Sequence, residues 1–297
     1  MGGSNTPEAE VDVSVPMVSS LLQRQHPDLA ELEITELANG WDNVMFRLGD
    51  DLVVRLPRRS VAAKLVDHEA RWLPGLGPRL PVPIPVPVRV GHATDDYPWT
   101  WTIVPWFDGT VIGADPLPNS RVVADQLGEF LAALHQPAPA EAPVNPYRGV
   151  PLTDRAEAMA DRIDSLAGVI DTAKVTWAWT TALEAPPWDG PPLWIHGDLH
   201  PLNIVGDDDG VAAVIDWGDI TGGDPATDLL VAWALFDEED RAVFRAAAHT
   251  QTRPIDDAMW ARARGWAVAH GLAVLAHSAD APIMQAVGLK TLAAALG

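Results

Sequence analysis

The chain has 297 residues, 47% of them hydrophobic, with 20 Lys or Arg against 41 Asp or Glu and no cysteine. That length allows one large core or two lobes sharing a cleft, and a net charge of −21 argues against nucleic acid or an anionic membrane as partner, since both would repel it. Without cysteine there are no disulfides, no thiol catalysis and no thiolate metal sites.

No apolar run approaches the ~20 residues that a membrane span requires. The N-terminus, MGGSNTPEAEVDV, lacks a basic region followed by an apolar one, so the chain is expected to be cytoplasmic with a frayed start. The charge is uneven: residues 1–109 hold fifteen acids against nine bases, whereas residues 175–240 hold fourteen acids and no Lys or Arg. Such a run is either a solvated face or, if its carboxylates from residues 184–240 line a cleft with Asp256 and Asp257, a surface that attracts a cation.

Residues 16–25 read as a first helix with proline in its opening turn. Residues 32–38 alternate as a strand, Asn39, Gly40, Trp41 and Asp42 turn the chain, and residues 43–48 form a second strand. Gly49, Asp50 and Asp51 lead into a third strand, residues 52–56, where Arg55 shares a face with Val53. Ser60 is a candidate cap for a helix to about residue 73, with Val61, Leu65, Val66 and Trp72 on its apolar face. Glu69 falls on the same face, where a carboxylate needs a cationic partner. Prolines at nearly every second position across residues 78–87 forbid helix and favour an extended connector. Strands at 86–92 and 99–104 follow, and residues 105–109 break the pattern.

Residues 120–135 carry Val122, Val123, Leu127, Phe130, Leu131 and Leu134 at helical spacing and end in the proline-rich PAPAEAPVNP. Further helices are expected at 153–166 and 171–183, the second bearing Trp177 and Trp179. The chain closes with helices at 238–248, 257–278 and 283–295.

Between the helices lies residues 194–228, WIHGDLHPLNIVGDDDGVAAVIDWGDITGGDPATD. Asn203 follows Asp198 by five positions. A hairpin turning at residues 207–210 then leads to Asp216 at the end of an apolar strand. Moving a γ-phosphoryl group needs an acceptor hydroxyl held in line and divalent metal to offset phosphate charge. Magnesium takes one or two protein oxygens plus phosphate and water, so the Asn203 amide and the Asp216 carboxylate suffice, and Asp198 is left for the hydroxyl. No zinc ligand set is present.

This wording, HGDLHPxN with IDWGD and GDPxxDL after it, matches the catalytic and metal-binding loops of the protein-kinase plan and resembles the aminoglycoside phosphotransferase family over most of the chain. The resemblance implies an α+β, two-lobed protein-kinase-like fold with an N-terminal antiparallel-sheet lobe (1–104), a hinge (105–109) and a larger, mainly helical C-terminal lobe (110–297). It implies ATP or GTP as donor and Mg2+ between the lobes. The tip of the first hairpin would cover phosphates, although it is not a GxGxxG loop. Arg55 stands where such folds place a phosphate-anchoring lysine, with Arg58, Arg59 and Lys64 nearby, and Glu69 is the helix glutamate that pairs with it. Backbone groups of the hinge, at Val104 and Trp106, would meet the nucleobase edge. Asp228 would be a strut accepting hydrogen bonds from the catalytic-loop backbone, with helix capping by Asp224 as the plainer reading. His196 is expected to be scaffold, and His200 either packs or touches the acceptor.

The reaction implied is phosphoryl transfer to a hydroxyl of a small molecule. An aminoglycoside is first in view, as the family resemblance implies, and the acid-rich stretch would suit a polycation. A macrolide is the alternative, because VVRLPRR with Glu69 downstream also looks like macrolide phosphotransferases, and a pocket drawn from Trp177, Trp179, Trp188, Trp233, Trp260 and Trp266 would suit an apolar acceptor. An inactive nucleotide-binding module is the third reading. The sequence leaves the oligomeric state open.

Overall fold

The computed structural model describes residues 8–39, 42–113, 115, 117, 119–252 and 254–297. The chain forms two compact units, one of Met1–Pro78 with Pro83–Asp108 and the other of Arg79–Val82 with Gly109–Gly297. The first is built on sheet and the second on helix, in keeping with the expected α+β class. Among the described residues no helix is long and apolar enough to cross a membrane.

In the first unit β1 (Ile34–Asn39), β2 (Asn43–Leu48), β3 (Leu52–Pro57), β4 (Arg89–Gly91) and β5 (Trp101–Pro105) form an antiparallel sheet of order β1-β2-β3-β5-β4. Alternation gives the sheet two different faces. Val44, Phe46, Leu48, Val54, Leu56, Trp101 and Ile103 cluster with Val18, Leu21 and Leu22 of α1 (Val15–Gln25). The other face carries Val53 and Arg55, and α2 (Ser60–Leu76) packs against β3 and β5.

Two expectations about α2 need correction. Its buried stripe is Ala62, Ala63, Val66, Glu69, Leu73 and Leu76, while Val61 is 59% exposed and Leu65 and Trp72 are half-buried. The apolar side chains chosen from the sequence drift around the helix, whereas small alanines let it sit close to the sheet. Ser60 is the first helical residue rather than the cap, and its hydroxyl donates to Glu10 Oε1 at 3.1 Å. The expected turn at Gly40 and Trp41, with its phosphate-covering tip, lies outside the described residues.

The second unit holds α3 (Ser120–Leu134), α4 (Ala156–Ser165), α5 (Thr172–Leu183), α6 (Val231–Leu235), α7 (Glu238–Ala248), α8 (Asp257–His277) and α9 (Pro282–Leu296). Helix α8 is buried nearly all round and touches α4, α5, α6 and α9, which makes it the central rod of the unit. Two small ladders frame the loop that carries Asp198. In one, β7 (Leu193–Ile195) pairs antiparallel with β10 (Thr221–Gly223); in the other, β6 (Thr110–Val111), β8 (Ile204–Asp207) and β9 (Gly210–Val214) run in the order β6-β8-β9. Of the six tryptophans expected to line a pocket, three are core: Trp179, Trp233 and Trp266 are 5%, 4% and 3% exposed, and Trp233 packs at a tilt against Trp260 with ring centroids 4.6 Å apart, while Trp177 is 60% exposed.

Candidate active site

The loop between β7 and β8 is over-determined by hydrogen bonds. Asp228, fully buried, accepts from the backbone N–H groups of His196 (2.8 Å) and Gly197 (2.9 Å), and its Oδ2 lies 3.2 Å from His135 Nε2. Buried carboxylates need such partners, and these fix where the loop leaves β7. Gly197 is required at its position: its φ is +87°, and a β-carbon there would stand 2.4 Å from the Asp219 carbonyl oxygen. The same contact seats the loop on the segment that follows Asp216.

His196 is scaffold in its bonds. Its Nδ1 accepts the Asp198 N–H at 3.2 Å and its Nε2 lies 3.0 Å from the Ile215 carbonyl, so the proton sits on Nε2. Trp217, fully buried, packs against His196 and Phe130 with centroids 4.7 and 6.1 Å away.

Asp198 is the chemically exposed point of the loop. Arg148 Nη2 donates to its Oδ1 at 2.8 Å, and His200 Nε2 lies 3.4 Å from its Oδ2. His200 Nδ1 accepts the Leu202 N–H, which leaves Nε2 as the protonated atom facing the carboxylate. Burial pushes the Asp198 carboxyl up, but Arg148 first and His200 second outweigh it, and the group is held well below the usual carboxylate range. Behind His200 stands His270 of α8, with centroids 5.4 Å apart; burial, then His200, lower its pKa to about 3.

Asn203 Nδ2 donates to the Asp198 carbonyl at 2.9 Å, leaving Oδ1 as the amide's acceptor atom. Its own backbone carbonyl accepts the Ile215 N–H at 2.9 Å, so Asn203 is tied to the residue just before Asp216. Asp216 is exposed and has φ +61°, a left-handed conformation that Asp tolerates better than most residues. A hard divalent cation wants oxygen donors, usually few from the protein, and an amide oxygen beside a solvent-facing carboxylate fits that requirement. Among the described residues no group of three or more His, Cys, Asp or Glu is arranged to hold a metal.

The first unit brings together the other predicted pair. Arg55 Nη1 donates to Glu69 Oε2 at 2.8 Å, with side chains 8% and 2% exposed. Val104 is buried on β5 opposite Val53. Trp106 lies under Arg47, 3.8 Å from guanidinium carbon to ring centroid, and its backbone N–H donates to the Asp51 carbonyl at 2.8 Å. That donor is therefore committed within the unit.

Asp224 does more than cap. Its Oδ1 accepts the Ala226 N–H, and the carboxylate takes two donors from Arg262 at 2.7 and 3.2 Å in a pair that is 5% and 4% exposed.

Apart from Asp198, Asp216 and Asp219, which stand near one another at the site, the acidic stretch is dispersed. Asp224 and Asp228 are buried and bonded as described, Asp207 closes the β8–β9 turn, and Asp237 caps α7 with Glu238, Glu239 and Asp240 in its first turn. Asp256 caps α8, and Asp257 is 98% exposed beside Arg245. Helix caps and turns absorb the acids because short carboxylates satisfy orphan N–H groups there.

Sequence reasoning missed the cations around Asp198. A cleft of about 280 Å³ is lined by Tyr147, Arg148, Arg155, Arg162 and Asp219. Arg148 reaches Asp219 Oδ2 as well, at 4.0 Å, and Asn145 Nδ2 donates to Asp219 Oδ1 at 2.6 Å. Burial, then the Asp198 carboxylate, push the Asp219 pKa up. The backbone beside Arg148 is anchored at Gly149, whose N–H donates to Thr227 Oγ1 and whose carbonyl accepts the Asp224 N–H. The signal in the sequence was an arginine every seventh residue, at 148, 155 and 162, in a chain otherwise poor in bases.

The profile of the phosphotransferase enzyme family matches residues 33–266. The uncharacterized protein YcbJ of Bacillus subtilis (strain 168) is 28% identical over 131 residues, and the alignment spans 43% of each chain, less than half the length of that relative. Among solved structures, the GDP and kanamycin complex of APH(2″)-IIia is similar at a TM-score of 0.70 with 20% identity, covering 94% of this chain and 97% of that one. Macrolide 2′-phosphotransferase MphH from Brachybacterium faecium is similar at 0.60 with 21% identity, covering 93% and 97%. These likenesses establish the two-lobed kinase-like fold. With the family profile covering more than three quarters of its length, this chain belongs to the phosphotransferase enzyme family.

Proposed function

We propose that the chain transfers the γ-phosphoryl group of ATP or GTP to a hydroxyl of a small molecule, with Asp198 taking the hydroxyl proton. The observation that carries this reading is the Asp198–Asn203 loop: a carboxylate held ionised by Arg148, and an amide tied to the backbone of that same aspartate. In the step, the acceptor oxygen bonds to the γ-phosphorus as the bond to the β-phosphate bridging oxygen breaks. The proton passes to Asp198 and the nucleoside diphosphate leaves. Magnesium, held by Asn203 and Asp216, would offset charge on the phosphates. Arg55 with Glu69 is assigned to the donor phosphates, Val104 and the carbonyl of Trp106, whose N–H is already bonded to Asp51, to the nucleobase edge, and His196 and Asp228 to support of the loop. Residues 1–104 are assigned to the nucleotide, 105–109 to the hinge and 110–297 to catalysis and the acceptor.

An aminoglycoside acceptor is supported by the kanamycin-bound neighbour and a macrolide acceptor by MphH. The test is transfer from ATP and from GTP to a panel of aminoglycosides, macrolides, tuberactinomycin-type peptides, choline and sugars, read as gain of one phosphoryl group by mass. Asp198→Asn is expected to lower turnover by about 10² to 10⁴ with nucleotide affinity nearly intact, and Asp216→Ala to remove magnesium-dependent nucleotide binding. Full turnover in Asp198→Asn would remove the base assignment. Nucleotide binding without hydrolysis or transfer in the wild type would favour the inactive module.

A further inference from the structure

We propose that the hydroxyl acceptor carries an oxyanion group, a carboxylate or a phosphate ester, and that Arg155 and Arg162 bind it in the cleft beside Asp198. The inference rests on the reading of Asp198 as the residue that faces the acceptor hydroxyl, and it names the acceptor's charge. Three guanidinium groups line this cleft in a chain of net charge −21. Arg148 is committed to Asp198 and Asp219. Arg155 and Arg162 are half-buried, and among the described residues neither forms an ion pair.

The electrostatics of the two arginines agree with that placement. Burial and then the Arg148 charge lower the pKa of Arg155; burial, then Arg155 and Arg148, lower that of Arg162. Among the described residues no carboxylate offsets either effect. Like charges held together away from water cost stability unless an anion is supplied. Arg155 also lies over the Tyr147 ring at 5.2 Å, which orients its fork. Guanidinium forks match the two oxygens of a carboxylate or phosphate. An acceptor with several amines would instead set like charge against these groups; Asp219, the carboxylate that lines the cleft, is already engaged by Asn145 and Arg148, and others of the acids once expected to receive a cation are spent in caps, turns and the Arg262 pair.

The test measures binding to the full chain by calorimetry with gluconate, glucose 6-phosphate, sorbitol as the neutral counterpart and kanamycin as the polycation, at about 0.05 and 0.5 M salt. At least one anionic probe is expected to bind about ten-fold or more tightly than sorbitol and kanamycin and to weaken with salt. Gluconate against glucose 6-phosphate separates carboxylate from phosphate ester. Arg155→Gln with Arg162→Gln should remove that preference, while the paired lysine replacements keep part of it, and thermal melts verify that each variant is folded. Three results would overturn the proposal: sorbitol equal to both anions, kanamycin tighter than either, or a variant that loses only magnesium–nucleotide affinity. Anion binding without phosphoryl transfer in the wild type would instead defeat the kinase reading and leave the anion site standing.

Discussion

Arg148 donates to Asp198 at 2.8 Å, and this contact sets the protonation of the proposed base. Because the Asp198 pKa lies below its unfolded value, near 3.9, the pair stabilises the fold above about pH 4 and that contribution fades as pH falls through the folded value. Arg148→Gln removes the largest influence holding the carboxyl down, while burial, which pushes it up, remains. The acid limb of kcat/KM should move upward by about one pH unit or more, with partial return in Arg148→Lys. Profiles that superimpose down to the lowest pH at which both proteins stay folded would show that Arg148 does not tune this group.

Asp228 offers two oxygens to two backbone N–H groups and to His135. Asp228→Asn supplies one acceptor fewer, so at least one buried donor loses its partner at a cost of about 1–3 kcal/mol. Asp228→Ala leaves both N–H groups stranded and should cost about 3–5 kcal/mol. Urea unfolding measures the ranking, and kcat should fall with it because the loop carrying Asp198 is released. Equal stability in all three proteins would mean that the loop holds itself.

Much of this was readable from residues 194–228, since the spacing of Asp198, Asn203 and Asp216 follows from a short loop and one hairpin, and both are local. Helix boundaries were also close, as at residues 238–248, where periodicity and the acidic first turn act together. The face of α2 was misjudged because hydrophobicity does not reveal that alanine permits a closer approach. The destination of the acids was misjudged for a related reason: charge along the chain says nothing of which carboxylates become caps. Arg148 could not be placed by local pattern, since it reaches Asp198 across fifty residues through the Gly149 and Thr227 anchor.

Arg55 and Glu69 form a buried pair, so removing either takes a close charge-assisted contact from the other. Each single alanine variant should cost about 3–5 kcal/mol, and the double variant clearly less than the sum. Arg55→Lys should keep part of the stability and of the nucleotide affinity, since a lysine supplies a point charge without the fork. Strict additivity in a double-mutant cycle would show that the 2.8 Å contact carries no coupling. A larger loss of nucleotide affinity from Arg58→Ala or Lys64→Ala would move the phosphate anchor to that residue.

His270 makes the last prediction, and its sign differs from that of the carboxylates. Burial first, then the neighbouring His200 and Arg148 against the Asp198 charge, leave it with a pKa of about 3. In the unfolded chain an ordinary histidine titrates near 6.5. Between about pH 6.5 and 3 the unfolded state therefore binds a proton that the folded state refuses, and stability from this residue falls as pH drops. The slope approaches about 1.4 kcal/mol per pH unit for one proton. Its Nε2 is also buried without a hydrogen-bond partner among the described residues, so an apolar ring loses little there. His270→Phe is expected to match the wild type at pH 7.5 to within about 1.5 kcal/mol and to gain on it steadily as pH is lowered from 6.5 toward 4. The measurement is urea unfolding of both proteins at half-unit pH steps. A stability difference that stays constant across that range would mean that His270 takes up its proton in the folded state.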